Sequence, residues 1–138
     1  MRQMHDSNLI HRVVVLGGGY AGLAFIEGLR QARLAGVEIT LVDRNPFHTL
    51  LTETHSVAAG THAPSLVEVP FSALGQGVRV VTASVLEVDT EHKLVLTDEA
   101  GNLPYDTLAF CLGGKDNDFG TPGVQEHALF LRGQRDAE

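Results

Sequence analysis

The chain of 138 residues has no tryptophan and a single cysteine, Cys111. One thiol excludes an intrachain disulfide, a CxxC redox pair and a thiolate zinc cluster, and it fits a reducing, cytoplasmic setting. Basic residues are scarce as well: 10 Lys and Arg stand against 17 Asp and Glu, for a formal charge of −7 at pH 7. No basic run tracks a phosphate backbone, so nucleic acid is not an expected partner. Long apolar runs are missing too. None approaches the roughly 18–20 residues of a membrane span. Residues 1–10 (MRQMHDSNLI) are polar and broken by Asp6, unlike a secretory signal. What is there, 43% hydrophobic and 20% charged residues without repeats or low-complexity tracts, suits one globular domain.

Apolar period organises the chain. Residues 13–16 (VVVL) form a continuous apolar run, the pattern of a strand buried on both faces of a parallel sheet. Over residues 20–35 the period turns helical, with Leu23, Ile26, Leu29 and Arg30 at spacings of three and four, and Gly36 is expected to end the helix. Residues 37–43 (VEITLVD) read as the next strand, which completes a βαβ unit. A short helix is expected around residues 50–59, between Pro46 and Gly60. Residues 78–82, 84–88 and 93–97 read as short strands of an antiparallel meander, with turn chemistry at 89–92 and 98–102. Residues 105–112 (YDTLAFCL) return to the parallel sheet, and Gly113 and Gly114 close that strand. An exit loop with Gly120, Pro122 and Gly123 follows, with a strand near residues 128–131. The expected class is α/β: a Rossmann-like βαβ parallel sheet with an antiparallel β-meander crossover.

The densest chemical signal is RVVVLGGGYAGLAF. In it Gly17, Gly19 and Gly22 satisfy GxGxxG between a strand and a helix, and Asp43 follows 21 residues after Gly22 at the end of the second strand. Each has a physical task. Gly17 permits the sharp turn, Gly19 lets a pyrophosphate touch the backbone, and Gly22 lets the helix pack closely on the sheet. The helix N-terminus aims free N–H groups and a positive dipole end at the phosphates. Asp43 would accept hydrogen bonds from a ribose 2′-hydroxyl and disfavour a 2′-phosphate there. The βαβ unit alone serves either NAD or FAD.

Other constellations are weaker. His48, His55 and His62 are seven apart, with Glu53 among them. On a continuous helix they would lie about 10 Å from one another, too far for one ion, so no metal site is expected and His48 is read as a loop hydrogen-bonder near the cofactor. Cys111, in an apolar run, reads as a buried inert thiol. Glu87, Asp89, Glu91, Asp98 and Glu99 read as solvated faces and turns. No catalytic residue is assigned.

Together, VVVLGGGYAGL, LVDRNPFH, LPYDTLAFCLGG and FGTPGVQEHA resemble the N-terminal FAD-binding part of two-dinucleotide-domain flavoproteins, the pyridine nucleotide-disulfide oxidoreductase-like superfamily. Within it the chain is most similar to the type II NADH dehydrogenases (NADH:quinone oxidoreductases), over about residues 13–127. The resemblance implies FAD as cofactor, held by Gly17, Gly18, Gly19, Tyr20, Ala21, Gly22, Asp43, Arg44, His48, Val85 and Gly113. Asp43 takes the place of the family's adenosine-ribose acid, Arg44 lies over the adenine or faces a phosphate, and the backbone at Val85 holds adenine. Two departures stand out. Leu112 replaces a usual threonine, and Thr52-Glu53-Thr54 replaces a Pro-Leu-Leu stretch near the flavin ring. The lone cysteine also argues against the disulfide-reductase branch.

No second GxGxxG follows Gly22. The resemblance accordingly implies that residues 1–11 are an N-terminal tail, 12–120 the N-terminal part of an FAD-binding domain, and 121–138 an exit segment towards a missing NADH-binding domain. The resemblance implies that the complete protein passes electrons from NADH through FAD to a quinone-like acceptor, in the cytoplasm or at a membrane periphery. The segment alone is expected to be inactive, to hold flavin poorly and to self-associate. Two alternatives stand: a free-standing dinucleotide-binding or regulatory module, and a Rossmann enzyme using NAD in this site.

Overall fold

The structure, a computed structural model, describes residues 10–131; residues 1–9 of the expected tail and 132–138 of the expected exit segment lie outside it. Strand β1 (His11–Leu16) is central. It pairs in parallel with β2 (Val37–Asp43) on one side and with β9 (Thr107–Phe110) on the other. A fourth strand, β5 (Val78–Thr82), pairs in parallel with β2, for a sheet order β5-β2-β1-β9.

The apolar run in β1 is explained by two cores. Val13 and Val15 face helix α1 (Tyr20–Ala32), where they pack with Ile26, Ile39, Leu41 and Phe71. Val14 and Leu16 face the opposite way and pack with Val42, Val81, Val95, Leu103 and Tyr105. The second face is covered by an antiparallel meander of β6 (Val85–Asp89), β7 (Leu94–Thr97) and β8 (Asn102–Pro104). A strand buried on both faces has no use for polar alternation.

Several expectations need correction. Residues 78–82 do not belong to the meander: β5 extends the parallel sheet, and the third meander strand is β8, which begins at Asn102, the last residue of the stretch read as a turn. Helix α1 ends at Ala32, because Arg33 adopts the left-handed conformation (φ 49°) and its N–H bonds the Arg30 carbonyl at 3.2 Å. Gly36, at φ 72°, instead turns the chain into β2, and its carbonyl accepts the His11 N–H at 2.7 Å. The region of the expected 50–59 helix splits into a 3-10 turn (Leu51–Glu53) and α2 (Thr54–Ala58). On either side of it, β3 (Phe47–Thr49) and β4 (Glu68–Pro70) pair as an antiparallel ribbon that the sequence did not announce. Residues 128–131 are not a strand; a short helix α3 (Val124–His127) precedes them.

At the amino ends of β1 and β9, Arg12 clasps Asp106 through Nε (3.0 Å) and a second guanidinium N–H (3.2 Å), while its backbone N–H donates to the same carboxylate at 2.8 Å. These donors hold the Asp106 carboxyl down at about 2. Among the described residues no helix is long and apolar enough to cross a membrane.

Candidate functional site

The chain runs from β1 to β2 to β5 on one side of β1 and then crosses to β9 on the other. The order therefore switches direction between β1 and β9, and in open parallel sheets ligands bind outside the carboxyl ends at such a point. The glycine turn lies there.

Each glycine of the turn meets a different constraint. Gly17 has φ 95°, and a Cβ on it would drive into the Cys111 carbonyl, with Leu112 Cα at 3.1 Å. That turn lets β1 end beneath the end of β9, where the Cys111 N–H also bonds the Leu16 carbonyl at 2.8 Å. A Cβ on Gly22 would meet the Gly17 carbonyl oxygen, so α1 sits directly on the turn. Gly19 differs. No protein atom lies within 4 Å of where its Cβ would stand, and its φ of −73° is open to any residue. The constraint there is not the protein's own packing, which is what a surface kept clear for a ligand requires.

Gly19, Tyr20 and Ala21 are exposed, and their backbone N–H groups have no intramolecular acceptor among the described residues. The first turn of a helix leaves such donors free, and a 13-residue helix stands behind them. Asp43 ends β2 beside the turn. Its Oδ2 accepts the Gly18 N–H at 2.7 Å and its Oδ1 the Asn45 N–H at 2.8 Å. Each carboxylate oxygen keeps a further lone pair for a hydroxyl. These features fit a dinucleotide: free donors for a pyrophosphate, an open approach at Gly19, and a carboxylate one strand away.

The structure brings His48 to the same loop, though through the protein and not through an exposed face. Its ring is buried, edge-on to Tyr20 at 4.6 Å between centroids, with Nδ1 3.0 Å from the Gly18 carbonyl oxygen. A carbonyl can only accept, so Nδ1 carries the proton. Arg44 is exposed just past β2 and has no polar partner among the described residues. Val85 opens β6 three residues beyond Thr82, the register partner of Asp43, so it leaves the same end of the sheet. Gly113 follows β9 with φ 76° and open space where a Cβ would stand. Tyr20 reaches Thr52 through its hydroxyl at 3.4 Å, joining α1 to the 3-10 turn at residues 51–53.

Sequence reasoning missed Phe71, whose ring lies where a Gly18 side chain would be. The signal available was a fourth glycine, Gly18, inside a fingerprint that needs only Gly17, Gly19 and Gly22. Among the described residues no three His, Cys, Asp or Glu side chains gather as a metal site; His55 bonds the Thr52 carbonyl (2.8 Å), and His62 lies beside the Thr61 hydroxyl (3.3 Å).

Comparison with known proteins adds an independent line. The model of the pyridine nucleotide-disulphide oxidoreductase family matches residues 11–138. A type II NADH:quinone oxidoreductase of Staphylococcus epidermidis is 37% identical over 121 residues, covering 86% of this chain and 30% of that relative. The sulfide:quinone oxidoreductase of Aquifex aeolicus superposes with a TM-score of 0.82 at 25% identity, over 92% of this chain and 30% of the other. NDH2 of Plasmodium falciparum, solved in complex with NADH, shares the fold with a TM-score of 0.78 at 20% identity, over 93% and 27% of the two chains. The chain thus spans about a third of the length of the relatives it matches. With the switch-point glycine turn and the family match in agreement, this chain belongs to the pyridine nucleotide-disulphide oxidoreductase family.

Proposed function

We propose that this chain supplies the adenosine and pyrophosphate half of the FAD site in an oxidoreductase that takes electrons from NADH and gives them to a quinone-like acceptor. The observation that carries this reading is the set of free N–H groups on Gly19, Tyr20 and Ala21 beside the open approach at Gly19. The names of the relatives supply NADH and quinone. Gly19, Tyr20 and Ala21 bind the pyrophosphate, Asp43 the adenosine ribose, and the backbone at Val85 the adenine, with Arg44 free to cover the base. Gly113, at the end of β9, lets the cofactor pass close to the backbone. FAD held here would supply hydride acceptance and onward electron transfer; the groups named above would bind and orient it.

Nucleic acid is no partner on this reading, the chain's charge being −7. The free edge of β9, with Phe110 63% exposed, favours association with a second strand. The protein works in the cytoplasm, with peripheral membrane contact where the acceptor is lipid-soluble. The test is to purify the full-length protein, record its absorbance and add NADH anaerobically, and to run gel filtration on the 138-residue segment alone. A flavin spectrum bleached by NADH is expected. Stoichiometric NAD and no flavin would overturn the assignment, and a strictly monomeric 138-residue segment would remove the edge-strand association.

A further inference from the structure

Gly18 is the one residue of the turn held on every side. Its N–H goes to Asp43 at 2.7 Å, its carbonyl takes the Nδ1 proton of His48 at 3.0 Å, and a Cβ on it would strike Phe71, with Cε1 at 2.5 Å and Cε2 at 3.1 Å. All the nearest atoms to that Cβ belong to Phe71, and Gly18 has no positive φ. Neither backbone strain nor a ligand explains this glycine; the Phe71 ring does. Phe71 and His48 come from the two strands of the β3–β4 ribbon, His48 within β3 and Phe71 just past the end of β4, where Phe47 is the register partner of Pro70 and the Phe71 N–H bonds the Pro46 carbonyl at 3.0 Å.

The peptide joining Gly18 to Gly19 is trans, as are all described peptide bonds. In a trans peptide the C=O and N–H point in opposite directions. A carbonyl drawn towards the buried His48 therefore turns the Gly19 N–H outward, to the side where Gly19 is open. We infer that His48 and Phe71 are positioning residues: they clamp Gly18 from the ribbon so that the Gly19 N–H is aimed at a phosphate before any ligand arrives. This rests on the dinucleotide reading above. It also separates the tasks of two adjacent glycines, Gly18 serving the protein's own packing and Gly19 the ligand. His48 then need not touch the cofactor at all.

The test uses the full-length protein with ADP as the probe and two sets of variants. His48→Phe keeps a ring against Tyr20 and removes the donor, whereas His48→Asn keeps an N–H near the Nδ1 position. His48→Phe should weaken ADP binding about tenfold, the worth of roughly one hydrogen bond, and His48→Asn should stay within about threefold of wild type. Gly18→Ala should weaken ADP and lower Tm. Combined with Phe71→Leu, which withdraws the ring atoms it strikes, its losses should be clearly less than additive. Equal binding by His48→Phe and His48→Asn, or full additivity of Gly18→Ala with Phe71→Leu in both affinity and Tm, would overturn the clamp. If wild type takes up no ADP, the dinucleotide reading falls. The clamp's packing is then judged by Tm alone, where additive losses overturn it as well.

Discussion

Replacing Gly19 by alanine should separate binding from folding. The new methyl would meet no protein atom within 4 Å, and the backbone there (φ −73°, ψ −174°) is extended and unstrained. Alanine is a poorer N-cap than glycine by several tenths of a kcal/mol, but it also restricts the unfolded chain by about 0.4–1 kcal/mol. The two nearly cancel, so Tm should stay within about 3 °C of wild type. Binding has no such offset. A phosphate oxygen accepting the Gly19 N–H must come to about 2.7–3.2 Å of nitrogen, and a methyl on the next atom crowds that approach. Losing one charge-assisted bond, roughly 1.5–3 kcal/mol, is about a tenfold to hundredfold loss of affinity. Calorimetric ADP titration and thermal melting of one full-length preparation measure both. Gly28 is the control. It lies mid-helix in α1, also with nothing within 4 Å, so Gly28→Ala should add about 0.5–1 kcal/mol of stability and leave ADP binding alone. ADP binding by Gly19→Ala at wild-type affinity would refute the reasoning, as would a Tm loss larger than that for a core substitution such as Ile26→Val.

Asp43→Ala frees two backbone N–H groups now bonded at 2.7 and 2.8 Å, and with partial solvent exposure this should cost about 2 kcal/mol in urea unfolding besides weakening ADP; exposed Glu91→Ala should stay within about 0.5 kcal/mol, and equal effects would remove Asp43 from the site. Asp106 carries a pH dependence. Its carboxyl is held at about 2 against an ordinary 3.8, so its clasp with Arg12 contributes fully above that ordinary value and is lost as pH falls through about 2. The Tm difference between wild type and Asp106→Asn should accordingly shrink between about pH 4 and pH 2; a difference unchanged over that window would show that the ionised carboxylate is not what counts.

Much of the site was legible because its demands are local. The turn, Asp43 and the bounds of β2 and β5 all follow from spacing and period within about thirty residues. What escaped depended on partners distant in sequence. A short valine-rich run such as VRVVT reads the same in a parallel sheet as in a meander; only its pairing with residues 39–43 decides, and that pairing is not written in the run. Strands β3, β4 and β8 have three residues each, too few for a period to register. Arg33 ended α1 before Gly36 could, because three further residues were needed to swing the chain back to β2. Phe71 sits beside Gly18 through the ribbon, and no local pattern links positions so far apart.

The parallel pairing of β1 with β9 also orders events in time. Arg12 and its clasp partner Asp106 are 94 positions apart, and the Gly17 turn is completed only when the Cys111 carbonyl lies over it. At roughly 5–20 residues per second of synthesis, β9 leaves the ribosome about 5–19 s after β1. Over that interval the βαβ unit can form, since its contacts are short-range, while the long loop to β9 remains unclosed. The phosphate turn is thus among the earliest parts of the chain to be made and among the last to be finished, and a nascent chain acquires its nucleotide-holding shape only once the strand most distant in sequence has docked.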